Sequence, residues 1–185
     1  MTTVFSWPFG EYNVAGSFNY FVKTNLNTSL PVWMAAAPRL NFNYPDVPLF
    51  DEPNGVYTPV FSVTHLGKFD ESIAAGDLLD NGKMGQKVYG VAEVSAWVNG
   101  KAGAQSVNSN WPRDLMTMRD MIIKLFSGTR TINIVDTYAS ILAPTPIGYI
   151  LRVDRVTEDQ PLEPDPNPNV HRRRILVTFC YLQRQ

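Results

Sequence analysis

The sequence predicts an α+β fold, in which a mainly antiparallel β-sheet carries two helices packed on one face. Strand-like segments cluster around two helical segments without a regular strand–helix alternation. Hydrophobic residues make up 44% of the 185 residues and charged residues 18%, which suits one apolar core. We expect a single domain over 1–185, with an N-terminal extension at 1–16, a long extended arm at 38–59 and a protruding β-hairpin at 154–174.

A first helix is predicted over residues 17–30. Ser17 fits the N-cap position, because its hydroxyl can accept a hydrogen bond from a free N–H group of the first turn. Phe18, Val22 and Leu26 recur every four residues, which is typical of a helix with one buried face.

The arm at 38–59 is predicted to be extended, since each proline in it disfavours helical geometry in the residue before it. The β-branched run at 60–67 predicts a strand. A long loop is expected over 67–86, and it leads into a strand at 87–98.

The strand at 87–98 has the clearest alternation in the chain. Its apolar side is made of Val88, Ala92, Val94, Ala96 and Val98. Glu93 and Ser95 point to the other side, because neighbouring residues of a strand face opposite ways.

A second helix is predicted over 111–127. Pro112 suits its first turn, Asp114 lies near its positive end, and Gly128 supplies the stop. The predicted buried stripe is Leu115, Met118, Ile122 and Leu125 or Phe126.

Three more strands are expected over 131–138, 147–157 and 174–184. The last of them has one apolar side, formed by Ile175, Val177, Phe179 and Tyr181.

Composition argues against several classes of protein. A net charge of −1 does not suggest a protein that coats nucleic acid or membrane surfaces. Cys180 is the one cysteine, so no disulfide framework exists and a reducing compartment fits. We expect no signal peptide and no membrane span, since neither pattern is found.

Catalytic patterns are also missing. His65 and His171 lie in different contexts, and with a single cysteine they cannot build a zinc site. The segment 76–84 resembles a phosphate-binding loop but has the wrong glycine spacing and no Ser or Thr after its lysine. We therefore expect no enzyme, no cofactor and no metal.

The segment 158–174, "EDQPLEPDPNPNVHRRR", divides into an acidic leg and a basic leg between two strands. Three interpretations stay open: a solvated loop with weak charge pairing, a contact between subunits, or arginines that face nucleic acid. We expect that reversing the three arginines to glutamate impairs assembly but leaves the fold intact, because they lie at the hairpin edge. The candidate interface residues are Glu158, Asp159, Glu163, Asp165, Arg172, Arg173 and Arg174.

The order of elements resembles the tail-terminator (tail-completion) proteins of long-tailed bacteriophages. The segments that carry this resemblance are "LNFNYPDVP" before "VFSVTHL", the helix "LMTMRDMIIKLF" and the closing strand "RILVTFCYLQR". The resemblance covers most of 17–185. The loop at 67–86 and the hairpin at 154–174 are longer than expected of the smallest members, and the N-terminal stretch 1–16 is extra.

The resemblance implies a structural virion protein of the tail and neck, assembled in the host cytoplasm. Copies of the chain would form a ring, usually of six subunits, that caps the tail tube, stops its polymerisation and joins the tail to the head. The implied partners are other copies, the tail tube protein and the head–tail connector protein, with DNA passing through the lumen as cargo and no membrane contact.

Two alternatives remain. Within the same class, the chain could be another head–tail connector, such as a stopper or adaptor, or a minor tail protein. From a different class, it could be a monomeric peptide- or ligand-binding module that uses the aromatic arm at 42–57.

Overall fold

A computed structural model of the chain describes residues 11–26, 38–42, 59–71, 78–79, 83–99, 111–137, 142–159 and 170–184. Within these ranges the chain forms two helices and seven strands. The helices are α1 (Glu11–Leu26) and α2 (Trp111–Ser127). The strands are β1 (Arg39–Phe42), β2 (Val60–Glu71), β3 (Leu78–Leu79), β4 (Lys83–Asn99), β5 (Thr131–Asp136), β6 (Thr145–Asp159) and β7 (Val170–Arg184).

The sheet has the strand order β1-β2-β4-β7-β6-β5, and β3 pairs with β4 outside this path. The pairing of β1 with β2 is parallel, and the other described pairings are antiparallel. The two helices and the curled, mostly antiparallel sheet confirm the predicted α+β class.

Both helices pack on one face of the sheet, called here the helix face. Phe18 of α1 stacks between Phe126 of α2 and Phe179 of β7, with ring centroids 5.5 Å and 5.3 Å away. The predicted apolar side of β4 lies entirely in this core. The stripe of α1 is also confirmed, and Val14 extends it by one turn.

The predicted start of the first helix is wrong. Helix α1 begins at Glu11, so Ser17 lies inside it and residues 11–16 of the expected extension are helical. The Ser17 hydroxyl donates to the carbonyl of Asn13 at 2.5 Å instead of capping a free N–H group. A serine inside a helix can donate a hydrogen bond to the carbonyl four residues earlier. Residue type alone does not distinguish such a serine from an N-cap serine. Residues 27–30 of the predicted helix lie outside the described residues.

The described residues of the predicted loop at 67–86, which are 67–71, 78–79 and 83–86, belong to strands. Strand β2 continues to Glu71, which pairs with Lys87, and β4 begins at Lys83, where it pairs with β3. Leu66 is an extra residue in the β2 ladder, and Gly67 after it has φ +146°. Glycine reaches this conformation without the penalty that other residues meet, so it marks a β-bulge here and not the end of a strand.

The remaining elements follow the predictions with shifted boundaries. Helix α2 has the predicted bounds, whereas β6 and β7 are longer than expected and begin at Thr145 and Val170. Four residues of the predicted arm form β1, and residues 43–58 lie outside the described residues. The legs of the predicted hairpin pair as far as Asp159 and Arg174.

Candidate functional site

The predicted interface residues lie at the base of the β6–β7 hairpin, except for Glu163 and Asp165, which are outside the described residues. Glu158 and Asp159 end β6, and the arginine run belongs to the start of β7. Because side chains of a strand alternate, Arg173 lies on the helix face, and Arg172 and Arg174 lie on the second face.

On the second face, Arg172 and Arg174 converge on Glu93 of β4. The Nε of Arg174 donates to one Glu93 carboxylate oxygen at 2.7 Å, and Arg172 donates to the other. Ser95 also donates to Glu93 at 2.7 Å, and the Arg174 guanidinium continues to Asp159 at 2.8 Å. Two carboxylates and two guanidinium groups therefore form a balanced network.

Glu93 is 0% exposed, although no described helix lies on its face. Burial by itself raises the pKa of a carboxyl, but the Ser95 hydrogen bond and the two arginines outweigh it and lower the pKa of Glu93 below its ordinary value. The carboxylate is thus held in its charged form by its neighbours.

Long side chains lying flat on the second face account for part of this burial. The guanidinium of Arg172 lies 4.4 Å above the ring of Trp97, and the Trp97 indole N–H donates to Ser62 at 2.8 Å. Val60 and Val170 are buried in a small apolar cluster with Trp97.

Sequence reasoning missed Glu93 as a partner of the arginines. The available signal was its position. Glu93 is the one charged residue in the stretch "VYGVAEVSAWV" (88–98), in which the residues on both sides of the strand are otherwise apolar or small. A charge in such a strand requires a buried counter-charge, because an unpaired buried charge is costly.

On the helix face, side chains of α2 contact both strands of the hairpin, β6 and β7. Arg119 donates to Glu158 at 3.0 and 2.5 Å, and Arg173 lies 3.9 Å from the same carboxylate. The hydrogen bond from Arg119 is the main reason that the pKa of Glu158 is lowered. Trp111 stacks on His171 with ring centroids 3.8 Å apart, and burial lowers the pKa of His171.

The charges at the hairpin base are therefore paired within the chain. The pairing of Asp159 with Arg174 is the cross-hairpin contact that the first interpretation expected. The structure argues against the expectation that reversing all three arginines spares the fold, since Arg172 and Arg174 neutralise a buried carboxylate. A role of these residues between subunits stays a prediction.

The β5 end of the sheet is partly closed by α1. Ser17 accepts a hydrogen bond from the backbone N–H of Val135 at 2.8 Å, and the Asn13 side chain accepts one from the N–H of Thr137 at 3.1 Å. Gly16 permits this approach, because a Cβ there would lie 2.6 Å from the Thr137 hydroxyl oxygen. Helix α1 thus takes the place of a further strand at this end of β5.

Large apolar side chains are exposed at both flanks of the sheet. Phe42 of β1 and Leu66 of β2 are 41% and 42% exposed. On the opposite flank, Leu142, which precedes β6, and Ile150 of β6 are 85% and 52% exposed. Met116 on α2 is also exposed.

Other site types find little support in the described residues. No group of three or more His, Cys, Asp or Glu side chains in them could hold a metal ion. None of the described helices is long and apolar enough to cross a membrane. An open groove of about 500 Å³ lies between the ends of the two helices, lined by Asn25, Leu26, Met121, Lys124, Leu125, Gly128 and Thr129.

Comparison with known proteins does not assign the chain to a family. No protein-family model matches the chain, and no curated protein matches it. One similar solved structure, which carries no descriptive name, has a TM-score of 0.43 and 13% sequence identity. That match covers 93% of this chain and 95% of the other.

Proposed function

We propose that this chain is a structural protein of a virus particle, similar to phage tail terminators, and that copies of it assemble into a ring. The ring caps the tail tube, stops its growth and offers its other side to the head–tail connector. The ring functions by binding other proteins, and DNA passes through it as cargo.

The observation that carries the proposal is the pair of unlike flanks of the sheet. A closed ring needs two different complementary surfaces on each subunit, because each copy contacts the next one head to tail. The Phe42–Leu66 flank and the Leu142–Ile150 flank each expose two large apolar side chains at opposite ends of the strand order. Single exposed apolar side chains are common on protein surfaces, so what favours the proposal is their presence at both flanks, where a ring needs its two contacts.

The hairpin base supports the proposal in a different way from the one expected. Its charges are paired with α2 and with Glu93, so they attach the base of the β6–β7 hairpin to the helix and to β4. Glu163 and Asp165, which lie outside the described residues, stay candidates for contact with a neighbouring protein.

The test is the mass of the purified full-length protein, alone and with tail tubes of its virus. Sedimentation should give a multiple of the 20.8 kDa chain mass, and electron micrographs should reveal rings at one end of each tube. Tubes extended in the presence of the protein should stop growing.

Two results would overturn the proposal. One is a chain that stays monomeric at all concentrations and leaves tube growth unchanged. The other is saturable binding of a peptide or small ligand by that monomer, lost on substitution of aromatic residues of the arm at 42–57, which would favour the ligand-binding alternative.

A further inference from the structure

The two end strands of the sheet, β1 and β5, run in the same direction. Strand β1 is parallel to β2, and an even number of antiparallel steps, through β4, β7 and β6, leads from β2 to β5. Neighbours in a ring of several copies differ by a fraction of a turn, so strand direction is kept from copy to copy. A head-to-tail contact of these ends would therefore be parallel.

The backbone of β5 offers open hydrogen-bonding groups at one half of its length. The carbonyl of Arg130 accepts from the N–H of Val153 in β6, so alternate residues from Arg130 onward face β6. Thr131 and Asn133 consequently turn their N–H and C=O groups to the outside, and the described residues supply no partner for them. Beyond them, the N–H of Val135 is occupied by Ser17.

The backbone of β1 offers a matching set. The N–H of Arg39 donates to the carbonyl of Pro59, so Arg39 and Asn41 face β2. Leu40 and Phe42 therefore turn their backbone groups to the outside, again two residues apart and without a partner among the described residues.

Residue patterns on the two strands match only in the parallel arrangement. In a parallel pair, a residue whose backbone faces its neighbour stands beside one whose backbone faces away. Leu40 then stands beside Ile132, and both side chains lie on the helix face, while Asn41 stands beside Asn133 on the second face. An antiparallel pair would place Leu40 beside Thr131 and mix apolar with polar side chains.

We propose that β1 of one copy pairs in parallel with β5 of the next copy, with Leu40 beside Ile132. This inference rests on the self-assembly proposed above and names the surfaces that meet. Three backbone hydrogen bonds form: Leu40 N–H to Thr131 O, Asn133 N–H to Leu40 O, and Phe42 N–H to Asn133 O. Helix α1 ends the pairing at Val135 and so fixes the register.

Cross-linking tests the register directly. In the Asn41→Cys/Asn133→Cys variant, the two new cysteines of neighbouring copies stand side by side, at the spacing that a disulfide requires. Oxidation should convert the assembled protein into a ladder of covalent oligomers. The control, Asn41→Cys/Met116→Cys, places its second cysteine on the exposed part of α2 and should give no ladder. A ladder in the control alone, or in neither variant of an assembled protein, overturns the pairing.

A second variant tests the hydrogen bonds. Asn133→Pro removes an N–H that faces outward, so the pairing with β6 is retained and the fold should persist. The dissociation constant of the assembly should rise by about tenfold or more, since the variant lacks one of the three bonds and sets its ring against the Leu40 carbonyl, which is left without a donor. Asn133→Thr keeps the N–H and should assemble like the natural chain.

The results separate this proposal from the proposed function. Assembly of Asn133→Pro with unchanged affinity and an intact circular dichroism spectrum overturns the strand pairing but leaves the ring standing. A natural chain that never assembles, alone or on tubes, overturns both. Loss of assembly in Asn133→Pro with retention in Asn133→Thr supports the pairing.

Discussion

The two faces of strand β4 are built from adjacent residues and are both buried, yet they are held by different forces. Ala92, Val94 and Ala96 pack into the helix-covered core. Glu93 and Ser95, which alternate with them, join a network with the arginines of β7. The first face is stabilised by removal of apolar surface from water, and the second depends on charges that satisfy one another.

This difference sets how each face responds to change. Truncating an apolar side chain in the core costs the burial of the removed atoms and the cavity that they leave. Removing one charge from the network leaves its partners buried without a counter-charge. The loss therefore destabilises each of the groups that remain. The second face therefore tolerates fewer substitutions than the first. Its net contribution to stability is smaller than its many hydrogen bonds suggest, because burying the charges is costly.

The largest effect is expected on the helix face. Ile122→Asp places an unpaired carboxylate in the core between α2 and the sheet and should cost more than about 4 kcal/mol. Urea denaturation followed by circular dichroism should find the variant largely unfolded. Met116→Asp, on the exposed side of the same helix, should stay folded, and an unchanged midpoint for Ile122→Asp would contradict the assignment of this face.

A smaller but selective loss is expected within the arginine run. Arg172→Glu/Arg174→Glu places two negative charges beside the buried Glu93, which should cost roughly the 3–5 kcal/mol of a broken buried pair. Arg173→Glu faces a partly exposed carboxylate at 3.9 Å and should cost about 1 kcal/mol or less. Thermal melts of the two variants make the comparison. Equal losses would mean that strand alternation does not divide the arginines between the faces.

Sequence periodicity predicted the helix face well, because each of its elements carries its own apolar pattern. The stripe of α2 and the valine–alanine side of β4 could be located from spacing alone, and both are buried. The start of α1 and the long β2–β4 pairing could not be predicted. Local patterns predicted Ser17 as an N-cap and Gly67 as the start of a loop. Tertiary contacts instead place Ser17 inside α1 and Gly67 at a β-bulge within β2.

The candidate site was only partly predictable for a related reason. The arginine run was visible as a charge pattern, but it was expected at the hairpin edge, whereas it lies inside β7, which begins at Val170. Its partners lie far away in the sequence: Glu93 is 81 residues from Arg174, and Arg119 is 39 residues from Glu158. Such pairings depend on strand order, which local patterns do not specify.

The smallest expected effect is a difference in pH dependence. Glu93 has a pKa below its ordinary value of 4.5, so its charge stabilises the fold above that value, and the contribution is lost as pH falls through the lowered pKa. Glu93→Gln keeps the size of the side chain but removes this titration. At neutral pH the variant should be less stable, by less than the roughly 3–5 kcal/mol of a fully buried broken pair, because both arginines retain some contact with water.

As the pH is lowered below 4.5, the stability gap between the natural chain and Glu93→Gln should narrow. Glu158, whose pKa is also lowered, titrates in both proteins and cancels in the difference. Urea denaturation over a pH series measures this gap. If the stability difference between the two proteins stays constant into strong acid, the carboxylate charge does not stabilise the second face. The two faces of β4 would then differ in side-chain packing and not in the kind of force that stabilises them.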